Sequence, residues 1–546
     1  MDKPLLDPAG LTGVSRRNFL KFTGTLSATA AFAGALAACG GPSSTTSTGS
    51  GNGGGTVPDT IEATLAFALS GGFDPMNASS AVATCANQHI FEGLVDLDPA
   101  SREPYPALAT ALPKKVDDLT WTATLRDGAK FSDGTDVTAD DVAWSFTRAL
   151  DPANKALMAQ FLPFLDTVTA KDPKTVELKL KTPFPLLPER VSVIKIVPKA
   201  KTGDAAASKT FDGAPIGSGP WKLDSADANT GLRLSAHDAY NGPKKAKAKK
   251  MVWNTTTEGA TRIADLQSGR VQAIEAVPYI NVDQVKGKYQ VEARPAFNQL
   301  FLMFNNSAKP FDDVRVRQAL HYAIDRDKVI KNALAGYGSP AKSYLDEGNK
   351  AYQEASTVYT YQPDKAKSLL ADAGVKNLSF ELVTTNTAFI VDCAPLIVDM
   401  WKQVGVTAKI NTAPSASVYA PAPDGLVAKD SFQALAASGD PTVYGTDADL
   451  LLRWYYAGQT WPVDRARWNA PERTKVAQLL DQAAAESDEA KRKALWKQVI
   501  DIVAEQVPLY PVLHTQTVTG WDETKIEGFK PVSTTGLYFL DASRKA

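Results

Sequence analysis

The chain has 546 residues, of which 44% are hydrophobic, and it carries 59 basic against 60 acidic side chains. This hydrophobic content excludes a disordered protein, and the length is enough for two or three domains. The near-zero net charge argues against nucleic acid or an anionic membrane surface as the main partner.

The first 38 residues have the pattern of a bacterial export signal. Arg16 and Arg17 form a twin-arginine signature, and a weakly apolar run over residues 22–38 follows it. The run ends in Leu-Ala-Ala before Cys39, which resembles a lipobox whose cleavage frees Cys39 for acylation. A transmembrane anchor is the alternative, but about 17 mostly small residues are at the short end for a span. We predict a twin-arginine lipoprotein signal at 1–38.

A Gly/Ser/Thr-rich tether over residues 39–56 follows the signal. Such a segment has nothing to bury and reaches on the order of 20 Å as a flexible coil. The predicted location is therefore the extracytoplasmic face of the bacterial cell membrane, with the protein held by lipid. Cys85 and Cys393 remain after lipidation. An oxidising compartment permits a disulfide between them, whereas folding in the cytosol before export favours two buried thiols.

The region after the tether alternates predicted strands and helices along its length, which indicates an α/β fold. Thr138 and Asp141 predict a capping box, and Pro363 and Gly374 mark the start and end of another helix. The predicted strands cover 64–69, 121–125, 175–180, 271–277, 300–305, 380–384, 406–410, 432–437 and 509–512. The predicted helices cover 86–94, a segment from 138, 261–269, a segment from Asp312 or Asp313, 363–374, 394–404 and two segments within 472–507.

The sequence contains no motif that indicates catalysis. HExxH, GxSxG, P-loop and Cys-x-x-Cys patterns are absent from the sequence. Its four histidines are widely separated, which is not typical of a metal site. We therefore predict a protein that is not an enzyme and that needs neither a metal nor a cofactor.

Five segments, in order, resemble extracellular solute-binding family 5, the peptide-, dipeptide- and nickel-type receptors of ABC importers. The first is WTATLRDGAKFSDGT at residues 121–135, followed by TADDV. The others lie at 215–221, 266–271, 310–326 and 363–374. The resemblance extends over about residues 60–540.

The resemblance implies a type II periplasmic-binding-protein fold with two lobes joined by a hinge and an inserted subdomain. Lobe I would comprise 57–91, 206–300 and 506–546. The inserted subdomain would comprise 92–205, and lobe II would comprise 301–505. A solute would bind in the cleft between the lobes and be enclosed when they close.

The resemblance also implies that Asp440, after the predicted strand 432–437, pairs with the α-ammonium of a peptide. A carboxylate at a strand end can bind a cation by a charge-assisted hydrogen bond, although Asp440-Pro441 is also a common way to start a turn. The loop 385–393 has no basic residue where dipeptide receptors have an arginine, so longer peptides or another solute remain open. The other predicted ligand contacts are Ser438, Gly439, Tyr444, Trp401, Gly72, Phe73, Phe304 and Asn305. For all of these except Ser438 and Gly439, which adjoin Asp440, ordinary core packing is an equal alternative.

The predicted function is an extracytoplasmic solute-binding receptor of an ABC importer. It would capture a peptide-like solute in the interlobe cleft and deliver it to a membrane permease and its ATPase, as a monomer that binds no nucleic acid. A receptor for a non-peptide solute, such as an oligosaccharide or a chelated metal, is the main alternative. A surface lipoprotein with hydrolase or signalling activity is the second alternative.

Overall fold

The computed structural model describes residues 59–545, so the predicted signal, Cys39 and the tether lie outside the described residues. The strands are β1 (Thr60–Leu65), β2 (Val95–Leu97), β3 (Pro104–Pro106), β4 (Lys114–Lys115), β5 (Thr120–Thr124), β6 (Leu165–Ala170), β7 (Thr175–Leu180), β8 (Trp221–Asp227), β9 (Gly231–Ala236), β10 (Lys250–Thr255), β11 (Ala273–Ile274), β12 (Gln290–Phe304), β13 (Gly338–Pro340), β14 (Ser379–Thr385), β15 (Thr407–Ala413), β16 (Ala434–Gly439), β17 (Leu509–Trp521), β18 (Ile526–Glu527) and β19 (Ser543–Arg544).

Helices lie between most of these strands, as the alternating sequence pattern predicts. The helices are α1 (Ala81–Ile90), α2 (Ala139–Leu150), α3 (Leu187–Arg190), α4 (Lys199–Thr202), α5 (Ala205–Gly213), α6 (Gly259–Gln267), α7 (Val282–Lys286), α8 (Val314–Tyr322), α9 (Arg326–Ala333), α10 (Pro363–Asp372), α11 (Ala388–Lys402), α12 (Ser415–Val418), α13 (Ala448–Tyr456), α14 (Pro471–Ala485) and α15 (Glu489–Gln506). Within residues 59–545, no helix combines the length and the apolar character needed to cross a membrane.

One large mixed sheet of eleven strands organises the fold. Its order is β15-β14-β16-β12-β17-β11-β1-β10-β9-β8, and β13 also pairs with β17. The two long strands β12 and β17 connect its two ends. β12 pairs with β17 and, through its second half, with β16, while the far end of β17 pairs with β11. The chain therefore crosses the middle of the sheet twice, once on β12 and once on β17.

A separate antiparallel sheet of four strands, in the order β4-β5-β7-β6, lies within the segment 92–205. Helix α2 packs on β6 and β7. The predicted capping box at the start of this helix is confirmed: the Thr138 amide donates to Asp141 at 3.0 Å, and the Asp141 amide donates to the Thr138 hydroxyl at 3.3 Å. The box satisfies two backbone donors that would otherwise lack partners at the helix start.

Several predicted elements differ from the structure at their boundaries. The predicted strand 271–277 is only β11, because Ala276 has a left-handed backbone with φ of 50° that ends the extended run. Helix α11 begins at Ala388 rather than at the predicted position 394. Pro395 therefore lies inside the helix and not in its first turn, where proline is common. β12 begins ten residues before the predicted start, because its polar first half lacks the apolar run that marks a buried strand.

The two cysteines are free and buried in different clusters of core side chains. Cys85 belongs to the cluster that contains Trp253 and Phe539, whereas Cys393 belongs to the cluster that contains Trp401. Burial raises the pKa of both thiols, that of Cys393 to about 12. The structure therefore agrees with two buried thiols and not with a disulfide.

Candidate functional site

Three parallel strands end together at one edge of the large sheet. β14 pairs in parallel with β15 and with β16, so Thr385, Ala413 and Gly439 lie at the same edge. In open α/β sheets, ligands bind outside the carboxyl ends of the strands. This edge, which we call the strand-end edge, is therefore the place where a solute site is expected.

Asp440 is the first residue after β16, and its half-buried carboxylate accepts several hydrogen bonds. Oδ1 accepts from the amide of Thr442 at 3.1 Å and from the Thr442 hydroxyl. Oδ2 accepts from the Thr534 hydroxyl at 3.0 Å, the Thr535 amide at 3.1 Å and the Thr535 hydroxyl at 3.2 Å. All of these donors are neutral. Within the described residues, the negative charge of Asp440 thus has no hydrogen-bonded cation.

A second carboxylate, Asp346, lies within electrostatic reach of Asp440. Burial raises the pKa of the Asp346 carboxyl, His514 lowers it, and the Asp440 carboxylate raises it further. No sequence pattern marks Asp346 as part of this site, because the loop that carries it lies 94 positions before Asp440. The two carboxylates make this part of the site attractive to a cation.

Two further polar side chains complete this part of the site. Gln299 on β12 pairs with both Gly439 on β16 and His514 on β17. The amide of Gln299 and Nε2 of His514 are buried and lack partners among the described residues. His514 Nδ1 lies 3.0 Å from the carbonyl oxygen of Phe297, so Nδ1 carries a proton. Both side chains are thus available to a polar solute.

An aromatic cluster borders the strand-end edge. The ring centroids of Tyr444 and Trp454 are 5.4 Å apart, and those of Tyr455 and Trp461 are 4.8 Å apart. A Cβ atom on Gly439 would lie 1.8 Å from the hydroxyl oxygen of Tyr455. Only glycine therefore allows the aromatic cluster to approach the end of β16 this closely.

The loop after β16 contacts two segments near the start of the described chain. Tyr444 donates to the carbonyl oxygen of Ala78 at 3.1 Å, and Arg102 donates to the carbonyl oxygen of Thr442. A cavity of about 30 Å³ lies beside these contacts and is lined in part by Asn87, Lys195 and Tyr444. This volume is enough for about two water molecules. A larger solute would require the walls to move apart.

The structure brings Ser438, Gly439, Asp440 and Tyr444 together. The other predicted contacts lie elsewhere. Phe304 pairs with Ala434 at the beginning of β16, so Phe304 and Asn305 lie at the opposite edge of the sheet. The ring of Phe304 stacks on Phe311 at 5.5 Å, and the amide of Asn305 donates to the Phe432 carbonyl at 2.8 Å.

The remaining three predicted contacts have partners within the protein. Trp401 is fully buried, and its indole donates to the carbonyl oxygen of Leu320 at 2.9 Å. The amide of Phe73 donates to the Asp212 carbonyl at 3.0 Å, and Gly72 packs on the Asp212 side chain. Trp401, Gly72 and Phe73 therefore take part in packing and hydrogen bonds within the protein. No group of three or more His, Cys, Asp or Glu side chains within residues 59–545 could hold a metal ion.

The chain resembles known solute-binding proteins. The model for bacterial extracellular solute-binding proteins, family 5 Middle, matches residues 103–470. The glutathione-binding protein GsiB of Escherichia coli (strain K12) is 29% identical over 476 residues, which cover 86% of this chain and 91% of the relative.

Two solved structures have the same fold. DppA from Helicobacter pylori, in complex with the peptide STSA, has a TM-score of 0.80 at 21% identity and covers 90% of this chain and 99% of its own. AgaA from A. tumefaciens R10, in complex with agropinic acid, has a TM-score of 0.76 at 27% identity and covers 87% and 96%.

Proposed function

Because this chain belongs to family 5 of the bacterial extracellular solute-binding proteins, we propose that it captures a peptide-like solute and holds the solute's α-ammonium on Asp440. The solute lies at the strand-end edge, beside the aromatic cluster. The protein then presents the solute to the permease and ATPase of an ABC importer.

The Asp440 carboxylate, which has no hydrogen-bonded cation among the described residues, carries this proposal. The carboxylate accepts hydrogen bonds only from Thr442, Thr534 and Thr535, which are all neutral. An ammonium group would supply charge-assisted hydrogen bonds, which are about twice as strong as neutral ones. Asp346 adds a second negative charge within electrostatic reach. A positively charged group therefore gains more from this position than a neutral group does.

Capture requires an opening movement. A carboxylate has about four acceptor positions, and those of Asp440 already accept hydrogen bonds from Thr442, Thr534 and Thr535. An incoming ammonium must displace the donors of Thr534 and Thr535, which belong to the segment 506–546. Separation of this segment from Asp440 would expose the carboxylate, and closure on the solute would then enclose it.

The relatives support a peptide-like solute, and they also indicate the main alternative to it. One relative is a glutathione-binding protein, and one structural neighbour holds the peptide STSA. Another neighbour holds agropinic acid. A non-peptide solute is therefore the second candidate, and the identity of the bound molecule separates the two.

Native mass spectrometry on residues 57–546, purified from the native host without refolding, tests the proposal. We expect a small molecule that is released on denaturation and fragments as a peptide. Asp440→Asn should retain much less of it, whereas the matched variant Asp424→Asn, at an exposed position, should retain the wild-type amount. Release of a sugar, a chelated metal or another non-peptide would overturn the peptide assignment.

The location and the anchor form a separate part of the proposal. The family is extracellular, and the sequence before residue 59 supports twin-arginine export followed by acylation of Cys39. The protein acts as a monomer without catalytic activity. In fractionated cells, we expect Cys39→Ser to move the protein from the membrane to the soluble fraction outside the cytoplasm. Replacement of Arg16 and Arg17 by lysine should retain it in the cytoplasm. Membrane association of Cys39→Ser would refute the anchor.

A further inference from the structure

A second charged position lies at the other end of the aromatic cluster. Arg465 ends a π-helical turn, Thr460–Arg465, which follows α13. Its guanidinium carbon lies 4.1 Å from the ring centroid of Trp461 and 4.5 Å from that of Tyr419. Irregular turns of this type within helical segments are frequent at functional sites. The two rings hold the guanidinium plane and leave its edge free for hydrogen bonds.

The charge of Arg465 is not used within the described residues. Arg453 forms ion pairs with Asp449 and Asp481, and Arg467 donates to the carbonyl oxygens of Ala428 and Lys429. Arg465 has no such acceptor between residues 59 and 545. Arg465 is half-buried, so its guanidinium stays accessible to an anion that could form charge-assisted hydrogen bonds with it.

The carboxylate next to Arg465 in sequence does not fill this role. Asp464 is exposed, and its Oδ1 accepts a 2.7 Å hydrogen bond from the side-chain amide of Gln459. Asp464 contributes only a long-range attraction to Arg465. The guanidinium edge therefore stays available to an acceptor from outside the chain.

A second polar group beside Arg465 also lacks a partner. The hydroxyl oxygen of Tyr419 is buried and forms no hydrogen bond within the described residues. Tyr419 follows α12, which begins two residues after β15 ends, so this hydroxyl belongs to the strand-end edge. An anion at this point could accept from both the guanidinium and the phenol.

Tyr455 connects this position with Asp440. Burial raises the pKa of the Tyr455 phenol, and the Asp440 carboxylate raises it further. The same phenol acts on Arg465, whose pKa burial lowers and Tyr455 raises. Asp440 and Arg465 thus lie within electrostatic reach of one side chain, and the aromatic cluster separates the negative charge from the positive one.

We propose that Arg465, with the Tyr419 hydroxyl, binds a carboxylate of the solute whose ammonium occupies Asp440. This inference rests on the proposed function and restricts it: the solute is a peptide-like zwitterion with a free carboxylate remote from its ammonium. The loop 385–393 contains no basic residue that could bind the carboxylate, and Arg465 provides such a cation from another part of the chain. A guanidinium matches a carboxylate through two parallel hydrogen bonds, which a neutral amide cannot form.

Competition between two peptide libraries tests the assignment. The probes are an equimolar library of dipeptides to tetrapeptides with free carboxylates and the same library with C-terminal amides. Both are offered to the mature chain after removal of its own ligand, and retention is measured by native mass spectrometry. We expect wild type to retain the acids about tenfold or more over the amides, since an amide cannot form the charge-assisted hydrogen bonds that a carboxylate forms with a guanidinium.

Variants separate the role of Arg465 from that of the fold. Arg465→Gln should retain acids and amides equally, and Arg465→Lys should recover part of the preference, which a merely structural role would not produce. Arg467→Gln, two residues away, should keep the full preference. Asp440→Asn should weaken retention of both libraries by the same factor. Thermal unfolding of each variant checks that it is folded.

The outcomes distinguish this assignment from the proposed function. Equal retention of acids and amides by wild type would overturn the role of Arg465 and leave the peptide receptor in place. An undiminished preference in folded Arg465→Gln would overturn it as well. Retention of neither library by wild type would overturn both the peptide receptor and the role of Arg465.

Discussion

The hydroxyl of Thr534 donates a 3.0 Å hydrogen bond to Oδ2 of Asp440, although 94 residues separate them in sequence. Thr534 is buried, and its hydroxyl also lies 2.9 Å from that of Thr442. The contact joins the segment after β17 to the loop after β16, so the candidate ammonium site is also the point at which two distant parts of the chain meet.

Replacement of this hydroxyl should weaken the junction. We expect Thr534→Val to lower the free energy of unfolding by about 1 kcal/mol, since the valine keeps the shape and removes one hydrogen bond. Urea denaturation measures the change. Thr407→Val, at an exposed threonine, serves as the matched control and should alter stability by less than about 0.5 kcal/mol. Equal stability of Thr534→Val and wild type would show that the bond contributes nothing to the stability of the fold.

Arg190 forms a stronger junction nearby. Its guanidinium is completely buried and pairs with Asp447 and, at 3.0 Å, with Asp449. We expect Arg190→Met to lower the free energy of unfolding by about 3–5 kcal/mol, because two buried carboxylates lose this partner. The measurement is again urea denaturation.

The exposed pair Lys174–Asp127 provides the control for Arg190. Both side chains are more than half exposed, so Lys174→Met should cost far less stability than Arg190→Met. A loss of similar size in Lys174→Met and Arg190→Met would contradict the assignment of a buried ion pair. The difference between the two variants is the quantity to report, because both substitutions replace a cation by methionine.

Much of the fold could be predicted from local patterns. The predicted strand 175–180 coincides with β7, and Asp313 caps α8 by accepting from the amide of Arg315 at 2.9 Å. α10 begins at Pro363, and Gly374 after it has φ of 70°. Each of these features depends on residues that are close in sequence, so a single chain contains the information needed to predict them.

The site was less predictable because it depends on strand register. The predicted strand 300–305 suggested that Phe304 and Asn305, at its end, lie near the ligand. β12 is antiparallel to β16, however, so the end of β12 lies at the opposite edge of the sheet from the end of β16. The residue beside Gly439 is therefore Gln299, at the other end of that segment. Asp346 and Thr534 reach Asp440 through contacts between distant segments. No periodicity or local motif marks such positions in one sequence.

His89 should make the stability of the protein depend on pH. Its Nδ1 donates to the carbonyl oxygen of Cys85 at 2.9 Å, and its Nε2 accepts from the amide of Phe539 at 3.0 Å, so the ring is neutral. Burial lowers the pKa of His89 to about 4, from 6.5 in an exposed setting. The unfolded chain binds the proton first as the pH falls. Stability is therefore present above pH 6.5 and is lost as the pH falls from 6.5 toward 4.

Comparison of wild type with His89→Gln isolates this effect. Between pH 7 and pH 5, we expect the free energy of unfolding of wild type to fall by about 2 kcal/mol more than that of the variant. The variant is expected to be less stable at pH 7, but only the slope is compared. Parallel pH profiles would contradict a neutral buried His89.

Gly439 should be required for solute binding because its missing side chain makes room for Tyr455. A methyl group at this position would lie 1.8 Å from the Tyr455 hydroxyl and 3.3 Å from the ring of Phe301. Tyr455 is almost fully buried against Trp461, so it cannot move without disturbing the aromatic cluster. We expect Gly439→Ala to weaken solute binding about tenfold or more and to lower stability by about 1–3 kcal/mol.

Removal of the clashing hydroxyl should restore part of the loss. Gly439→Ala combined with Tyr455→Phe should bind the solute more tightly than Gly439→Ala alone, measured by calorimetry with the peptide released from wild type. Gly213→Ala controls for the substitution itself, because a methyl group there meets no atom within 4 Å. Since the clash acts through Tyr455, a double variant that binds no better than Gly439→Ala would refute the close approach of the ring as its cause.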